Sequence, residues 1–381
     1  MSTSAPARRD PLDPFPWYRL MRARAPVFFE PERRLWHVFG YTDVQRVLSE
    51  HADFSSQFMA GGDDDGALSR SLVATDPPRH RQLRALVSQA FTPRAVDDLA
   101  PRISAITDAL LDQVDGAGHM DVVRDLAYPL PVIVIAELLG VPADERDQFK
   151  TWSDAITSTT GEGQLAQHAM AAYFAELIEE RRRRPRQDLV SALIAAQIDG
   201  EHLTLPELLG FCVLLLVAGN ETTTNLIGNA VLCFDESPGV IDQLRQDPSL
   251  LPAAIEEVLR FRSPVQSMFR VVARPTTLGG HALEPGQSVL AWIGSANRDE
   301  QAFADAERFD PRRNPARHLA FGHGIHFCLG APLARLEARI ALAALLRRLP
   351  GLRRAPDARL EPQDSFIVYG VKNLPVRFDP A

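Results

Sequence analysis

One stretch constrains the fold of this chain more than any other: residues 205–234, LPELLGFCVLLLVAGNETTTNLIGNAVLCF. It is long enough for about eight helical turns and is apolar except for AGNETTT in its middle. A buried helix has no structural use for such an interruption. Consecutive Glu221, Thr222 and Thr223 are costly to desolvate there and compete for backbone hydrogen bonds. The interruption therefore predicts either a functional site or a kinked or capped core helix.

A second feature is Cys328, in the loop FGHGIHFCLG, which runs directly into the helical pattern APLARLEARIALAALLRRL. Gly322, Gly324 and Gly330 allow left-handed backbone and close approach of a flat or bulky group, and Pro332 suits a first helical turn. Unpaired N–H groups and the positive end of the helix dipole lower a cysteine pKa. The sequence thus predicts that Cys328 is a nucleophile or a metal ligand.

Two other interpretations of this cysteine exist. It could be a buried small hydrophobe, as many lone cysteines are. It could also bind zinc together with His318, His323 and His326, which lie within the same short stretch. The spacing of these residues matches no zinc finger or ribbon, and three glycines around a single cysteine favour a planar cofactor.

The loop resembles the signature of the cytochrome P-450 family, Phe-x-x-Gly-x-His/Arg-x-Cys-x-Gly. Phe321, Gly324, His326, Cys328 and Gly330 occupy its positions. The resemblance implies haem b with the Cys328 thiolate as the proximal iron ligand, which pushes electron density toward iron and favours O–O cleavage. It also implies the family's triangular prism-like fold, with haem between a long distal helix and the proximal Cys loop and helix.

The long apolar stretch resembles the distal helix of the same family, which carries Ala/Gly-Gly-x-Asp/Glu-Thr on the oxygen side of the haem. Ala218, Gly219, Glu221 and Thr222 occupy those positions. By this resemblance Gly219 lets the helix open locally, Thr222 hydrogen-bonds the distal oxygen, and Glu221 relays protons toward it.

Glu257 and Arg260 form a Glu-x-x-Arg motif on one helical face, a spacing that usually marks a weak surface ion pair. In the cytochrome P-450 family this pair is a buried structural lock. The resemblance implies that an arginine before the haem cysteine completes it, here Arg308, with Arg312 as the alternative.

Further residues are assigned to the cofactor by the resemblance. His80 and Arg84, four residues apart on one helix face, together with Arg270 and His326, are expected to bind the haem propionates, since arginine suits carboxylates. The other expected haem contacts are Phe321, Gly322, Ala218 and Gly219.

The 381 residues, 45% of them hydrophobic, suffice for a large core, and the resemblance, from about residue 10 to 378, implies a single domain over residues 1–381. A net charge of −8 argues against general nucleic-acid binding. The N-terminus lacks an apolar span or signal peptide, and the three cysteines form no disulfide framework, so a cytoplasmic protein without membrane contact is expected.

The fold class expected from periodicity is mainly α with a minor β-sheet region. Helices are predicted at residues 94–115, 121–139, 166–183, 205–234, 251–262 and 332–348, and strands near 26–29, 34–39, 287–293 and 366–378. The segment 61–68, GGDDDGAL, predicts a mobile loop, and Arg181–Arg184 before Pro185 predict cations that close a helix.

The function expected is that of a haem-thiolate monooxygenase, which hydroxylates or epoxidises a lipophilic substrate with O2. No four-cysteine cluster or dinucleotide motif is present, so electrons are expected from a ferredoxin or flavodoxin-type donor with an NAD(P)H-dependent reductase. A monomer is expected. The alternatives are a peroxide-driven peroxygenase, whose specialised members lack the acid and alcohol pair, and a haem-based gas sensor or carrier.

The resemblance also indicates which residues line the substrate pocket. They are Leu214, Leu215, Val217 and Ala218 on the distal helix, Val265, Met268 and Phe269 within the segment 265–269, and Phe366 and Ile367 within the segment 366–368. Most are apolar, so a fatty acid, terpenoid or polyketide is expected.

Overall fold

The structure is a computed structural model that describes residues 10–57, 67–142, 145, 148–149, 151–152, 155, 163–198, 200–313 and 315–379. These residues form two compact units. The described residues within 1–55, 228–328 and 353–376 form the first unit, and those within 56–227, 329–352 and 377–381 form the second. The expectation of a single domain stays a prediction.

The first unit contains a five-stranded sheet in the order β1-β2-β8-β5-β3. The strands are β1 Val27–Glu30, β2 Leu35–Val38, β3 Phe54–Ser55, β5 Met268–Val272 and β8 Ser288–Ala291. All neighbouring pairs are antiparallel except β2 and β8, where Trp36 pairs with Val289. The buried side chains Val38, Phe54 and Val289 contribute to one core cluster beneath it.

The shorter strands are β4 His119–Asp121 in the second unit, the hairpin of β6 Thr276–Leu278 and β7 His281–Leu283, and the neighbours β9 Arg353–Arg354 and β10 Pro375–Arg377. The hairpin turns at two left-handed glycines, Gly279 and Gly280. A side chain at Gly279 would also collide with Val27, because its Cβ would lie 2.5 Å from Cγ2 of Val27.

The helices follow the chain in order. They are α1 Phe15–Arg24, α2 Tyr41–Ser49, α3 Arg79–Ala90, α4 Pro93–Asp97, α5 Ala100–Asp112, α6 Pro129–Leu139, α7 Gly163–Arg183, α8 Leu189–Ala195, α9 Leu205–Glu236, α10 Val240–Gln246, α11 Leu251–Phe261, α12 Ile293–Ala296 and α13 Ala331–Arg348. Helix α9 begins in the second unit and ends in the first.

Helix α9 is the predicted apolar helix, two residues longer than expected. It begins with a capping arrangement, in which the Glu207 carboxylate accepts hydrogen bonds from the backbone N–H and the hydroxyl of Thr204. Of the described helices, α9 is the one long and apolar enough to cross a membrane, a property that buried core helices share. Its residues Cys212, Leu216 and Cys233 are buried.

Prolines explain where two predicted helices divide. The predicted helix 94–115 is α4 followed by α5, and Pro101 lies in the first turn of α5, where its missing N–H costs nothing. The predicted helix 121–139 is strand β4, a π-helical turn over Val123–Ala127, and α6, which restarts at Pro129. Periodicity alone therefore overestimated the length of both helices.

The arginine run at the end of α7 closes that helix, which ends at Arg183 as expected. Arg181, however, is almost fully buried, since its side chain is 1% exposed. It binds Asp188 at 2.5 Å and the Gly140 carbonyl at 2.8 Å. Gly140 ends α6 with left-handed backbone, and a Cβ there would lie 2.3 Å from Asp188. Arg181 and Asp188 thus form a buried structural ion pair within the second unit.

Other predictions were less complete. Helices α1, α2, α8, α10 and α12 were not predicted, and α3 was expected only as a helix face that carries His80 and Arg84. Only residues 375–377 of the predicted strand 366–378 form a strand. Residues 61–66 of the predicted mobile loop lie outside the described residues.

Candidate functional site

The cysteine loop lies in the first unit, where it is held by its own backbone. The Cys328 N–H donates to the Phe321 carbonyl at 2.9 Å, and the Phe327 N–H donates to the Gly324 carbonyl at 3.1 Å. Gly322 and Gly324 have left-handed backbone, with φ of 74° and 72°. These hydrogen bonds form a tight backbone turn that ends at Cys328.

Gly324 is required for a second reason. A Cβ there would lie 2.9 Å from the Ser49 Cα at the end of α2, a distance that real Cβ atoms do not tolerate. Gly330 differs from the expectation of left-handed backbone, because its φ is −80° at the start of α13. Pro332 does lie in the first turn of that helix.

The surroundings of Cys328 fit a flat apolar group. The Cys328 thiol is exposed. Phe327 beside it is 42% exposed, which is unusual for a large apolar side chain, and its ring lies 6.3 Å from that of Phe321. An exposed cysteine with exposed aromatic surface next to it fits a planar apolar cofactor that binds through sulfur.

The alternative zinc site receives no support from the described geometry. His318 faces Glu256, with Nε2 2.9 Å from the carboxylate, and His323 contacts Gln45 at 3.4 Å. Within the described ranges, no group of three metal-binding side chains is found.

The four expected propionate partners lie on two different units. In the first unit, Arg270 on β5 is buried and donates to the Phe269 carbonyl at 2.7 Å, while His326 is half-buried in the turn before Cys328. In the second unit, buried His80 and half-buried Arg84 lie on α3, whose helical spacing brings them to one side. Their role toward haem stays a prediction.

The expected proton relay lies on the part of α9 within the second unit. Thr222 and Glu221 are half-buried, and the Thr222 hydroxyl donates to the Ala218 carbonyl at 2.6 Å. Leu214, Leu215 and Val217 are also half-buried, whereas residues on the other side, such as Leu216 and Thr223, are buried. Helix α9 thus has an accessible side that carries apolar residues, one acid and one alcohol.

Burial raises the pKa of the Glu221 carboxyl to about 7. The cause is desolvation, which penalises the charged form. At neutral pH this carboxyl is therefore close to half protonated, which suits a group that both accepts and donates protons.

Gly219 does not open the helix. Helix α9 is continuous from Leu205 to Glu236. The glycine instead permits close packing of α6, because a Cβ at Gly219 would lie 2.5 Å from Cδ1 of Ile135. The expectation of a local opening at Gly219 is thus corrected to a close helix–helix contact.

Glu257 and Arg260 form a fully buried ion pair, with two hydrogen bonds of 2.8 Å. The predicted third partners, Arg308 and Arg312, were wrong. Arg313 donates from Nε to Oε1 of Glu257 at 3.0 Å, whereas Arg308 contributes only its carbonyl, which Arg260 binds at 3.2 Å. The turn from Asp310 determines this, because the Asp310 N–H also donates to Glu257 and aligns the residues that follow.

The structure brings together the two segments of the first unit that were predicted to line the pocket. Val265 and Val368 form a β-bridge, and the Gln266 N–H donates to the Ile367 carbonyl at 2.6 Å. The rings of Phe269 and Phe366 meet edge to face at 6.0 Å. Phe366 is 45% exposed, and Met268 is half-buried. The two segments together present apolar, partly exposed surface.

Sequence reasoning missed two polar residues of the second unit. Thr224 donates its hydroxyl hydrogen bond to the Ala127 carbonyl at 3.0 Å. Glu337 on α13 is buried, and its Oε1 contacts no hydrogen-bonding group among the described residues. Burial raises the pKa of the Glu337 carboxyl to about 8. Only the presence of Glu337 in an otherwise apolar helical face could have indicated it.

Comparison with known proteins gives consistent matches. The family model described as Cytochrome P450 matches residues 157–351. Cytochrome P450 109 of Bacillus spizizenii is 46% identical over 384 residues, which cover 97% of this chain and 93% of the relative. Cyclomarin C epoxidase CymV of Salinispora arenicola is 45% identical and covers 87% of this chain and 88% of the relative.

Solved structures match equally well. The substrate-free crystal structure of CYP109E1 from Bacillus megaterium is 45% identical, with a TM-score of 0.93 over 98% of this chain and 100% of that chain. The structure of the same protein in complex with corticosterone gives a TM-score of 0.90 at 45% identity, over 97% of this chain and 99% of that chain. The mainly α fold with a small β-sheet region is thereby confirmed.

Proposed function

This chain belongs to the cytochrome P-450 family, and we propose that it is a monooxygenase that inserts one oxygen atom of O2 into a lipophilic organic substrate. As a member it is an oxidoreductase that binds protohaem IX through a cysteine thiolate. Bound haem supplies the oxygen chemistry, because a thiolate ligand increases electron density on iron and favours O–O cleavage. The residues of this chain hold the cofactor, move protons and select the substrate.

Cys328 is the haem ligand in this proposal. Its support is the exposed thiol at the end of a tight glycine turn, with the exposed ring of Phe327 beside it. His80, Arg84, Arg270 and His326 bind the two propionates, since histidine and arginine donate hydrogen bonds to carboxylates. Phe321, Gly322, Ala218 and Gly219 complete the contacts with the ring.

The observation that carries the monooxygenase proposal is the acid and alcohol pair on the accessible side of α9. The Thr222 hydroxyl donates its proton to the Ala218 carbonyl, so its oxygen lone pairs are left to accept a hydrogen bond. Glu221, with its pKa near 7, transfers protons at neutral pH. A gas sensor or carrier needs no such pair.

The substrate proposed is a lipophilic molecule of about the size of a steroid. Apolar, partly exposed side chains support it: Leu214, Leu215, Val217 and Ala218 on α9, and Val265, Met268, Phe269, Phe366 and Ile367 in the first unit. Two structures of CYP109E1 are complexes, one with corticosterone and one with testosterone, and CymV is named an epoxidase of cyclomarin C. These names make steroids the first probes for this chain.

Electrons are proposed to come from a ferredoxin or flavodoxin-type protein with an NAD(P)H-dependent reductase. The sequence has three cysteines, of which Cys212 and Cys233 are buried in α9. They cannot form the four-thiolate site of an iron–sulfur cluster. We propose a cytoplasmic location for the protein, as a monomer.

The proposal is tested in two steps with the haem-loaded protein. Corticosterone and testosterone, followed by a library of lipophilic compounds, are screened for the absorption change that follows water displacement from ferric iron. A hit is then incubated with O2, NADH, a ferredoxin and its reductase. Product carrying one oxygen atom from O2 is expected. Product with hydrogen peroxide alone would indicate a peroxygenase, and ligand binding without NADH-dependent product would indicate a sensor or carrier.

A further inference from the structure

One hydrogen bond within the second unit links α9 to the segment before α6. The hydroxyl of Thr224 lies 3.0 Å from the Ala127 carbonyl oxygen and 3.4 Å from Oδ1 of Asn220. A hydroxyl has one proton to donate, and the shorter distance assigns it to Ala127. Both Thr224 and Ala127 are buried.

The Ala127 carbonyl requires the Thr224 hydroxyl as a donor because the helix does not supply one. Ala127 is the last residue of the π-helical turn Val123–Ala127, and only Tyr128 separates it from α6. In an α-helix its carbonyl would accept from the amide four residues later, but that residue is Pro131, which has no N–H. A buried carbonyl without a donor is costly. The Thr224 hydroxyl takes the place of the missing amide.

A second contact joins α6 and α9 further along. Cδ1 of Ile135 occupies the space in which a side chain at Gly219 would lie. Ile135 is four residues after Pro131, and Gly219 is five residues before Thr224. Helix α9 is therefore fixed to the same segment at two points, one by shape and one by a hydrogen bond. Two such points determine the rotation of α9 about its own axis.

The rotation of α9 matters because Thr222 lies on the side of the helix opposite Thr224. Thr222 and Thr224 are two residues apart, which is roughly 200° around an α-helix. Thr224 is buried against Ala127, while Thr222 is half-buried on the accessible side. A small rotation of α9 at Thr224 would move the Thr222 hydroxyl by a similar angle.

We propose that Thr224 is a positioning residue for oxygen activation: its hydrogen bond to Ala127 holds α9 in the rotation that presents Thr222. This rests on the proposed function, in which Thr222 participates in proton delivery. Thr224 itself contacts no reacting group in this role, since it acts through the orientation of the helix.

Matched variants are available for a test. Thr224→Val removes the hydroxyl but keeps the shape, and Thr224→Ser keeps the hydroxyl. Thr223→Val is the control, because Thr223 is equally buried, at 3%, and no hydrogen bond of its hydroxyl is seen in the described part of the chain. Pro131→Ala gives the Ala127 carbonyl an amide donor at the position where the helix would supply one.

Two quantities are measured on the haem-loaded proteins. The first is the amide hydrogen exchange of residues 222–226, which needs no substrate. The second is the ratio of hydrogen peroxide released to NADH consumed, with a ferredoxin, its reductase and corticosterone or the first hit of the spectral screen. In Thr224→Val we expect both to rise roughly fivefold, the equilibrium change that one net hydrogen bond provides. Thr224→Ser and Thr223→Val should stay near the wild type.

The double variant Pro131→Ala/Thr224→Val should return both quantities most of the way to the wild-type values, because the new amide replaces the hydroxyl. Equal effects of Thr223→Val and Thr224→Val, or no recovery in the double variant, would overturn the inference. Thr222→Ala is measured alongside. If it leaves the peroxide ratio unchanged, the proton delivery in the proposed function is wrong. If it raises the ratio and Thr224→Val does not, only the positioning role is wrong.

Discussion

The Nε–H of Arg313 donates a 3.0 Å hydrogen bond to Oε1 of Glu257, a carboxylate that Arg260 already binds through both of its oxygens. The Arg260 guanidinium continues the network to the carbonyls of Asn297 and Ala306. This network ties α11 to the loop that precedes Cys328, the proposed haem ligand, in sequence. Its loss should therefore affect haem retention as well as folding.

Glu257→Ala should be strongly destabilising, because it leaves Arg260 as an unpaired buried charge. The expected cost is about 3–5 kcal/mol of unfolding free energy. The measurement is denaturant unfolding together with the haem content of purified protein. A fully haem-loaded variant with wild-type stability would disprove a buried lock.

Arg313→Gln and Arg308→Gln form a matched pair for the same network. The first removes a charge-assisted hydrogen bond to Glu257, worth about 1.5–3 kcal/mol. The second should be close to neutral, because Arg308 uses only its backbone carbonyl. Equal losses of stability in the two variants would contradict the assignment of Arg313.

Cys328→Ser should abolish the strongly red-shifted Soret band of the ferrous carbon monoxide complex, since that band requires a thiolate opposite the ligand. The absorption spectrum of the reduced protein under carbon monoxide is the measurement. Cys212→Ala and Cys233→Ala are the controls and should keep the band, because both thiols are buried in α9. Survival of the band in Cys328→Ser would exclude Cys328 as the ligand.

Thr222→Ala should lower the formation of product while NADH consumption continues. Alanine favours the helix, so haem and substrate binding should persist. Product formation should fall about 100-fold, the lower end of what a positioned proton-transfer group contributes, while NADH consumption continues and hydrogen peroxide accumulates. Product, peroxide and NADH are measured together. Unchanged coupling would remove Thr222 from the mechanism.

Glu221 should give product formation a pH dependence near its raised pKa of about 7. The carboxyl donates protons only in its protonated form, so product per NADH should fall as the pH rises above this value, approaching about tenfold per unit. Glu221→Gln does not titrate and should give a lower, flat profile. An identical inflection in both proteins would assign it to another group.

Glu337 should make the protein less stable as the pH rises from 4.5, the ordinary glutamate value, to about 8. In this window the unfolded chain releases a proton that the folded protein still binds, so unfolding becomes more favourable with pH. Glu337→Gln should remove up to about 1.4 kcal/mol per pH unit of this slope. Denaturant unfolding between pH 5 and 8 measures it, with exposed Glu284→Gln as the control. Parallel curves for all three proteins would contradict the prediction.

The elements that sequence predicted well are those with strong local signals. Helix α9 has a 30-residue stretch that is apolar except in its middle, and α13 begins directly after Gly330 with Pro332 in its first turn, so both were predicted within two residues. The segment 366–378 was mistaken for a strand because it is apolar. Outside residues 375–377 it forms only two isolated bridges in the described structure, Val368 with Val265 and Val371 with Pro362, and the first depends on a residue about a hundred positions away.

The difference between local signals and distant contacts also explains which residues of the candidate site were predicted. Cys328, Glu221 and Thr222 are recognisable because each belongs to a motif of adjacent residues. Arg313 could not be distinguished from Arg308, because the choice depends on how the turn at Asp310 directs the side chains. The role of Gly219 depends on Ile135, more than 80 residues earlier, and no local pattern contains that contact.

The three cysteines differ in a way that has a practical use. Cys212 and Cys233 are buried, and desolvation raises the pKa of each thiol to about 12, so neither reacts readily with an alkylating reagent at neutral pH. Cys328 is exposed in the polypeptide and would be masked by iron once haem is bound. Brief treatment of the folded protein with iodoacetamide should therefore label only chains that lack haem, with one adduct each. Intact mass spectrometry would then read the fraction of apoprotein in any preparation directly, without an extinction coefficient.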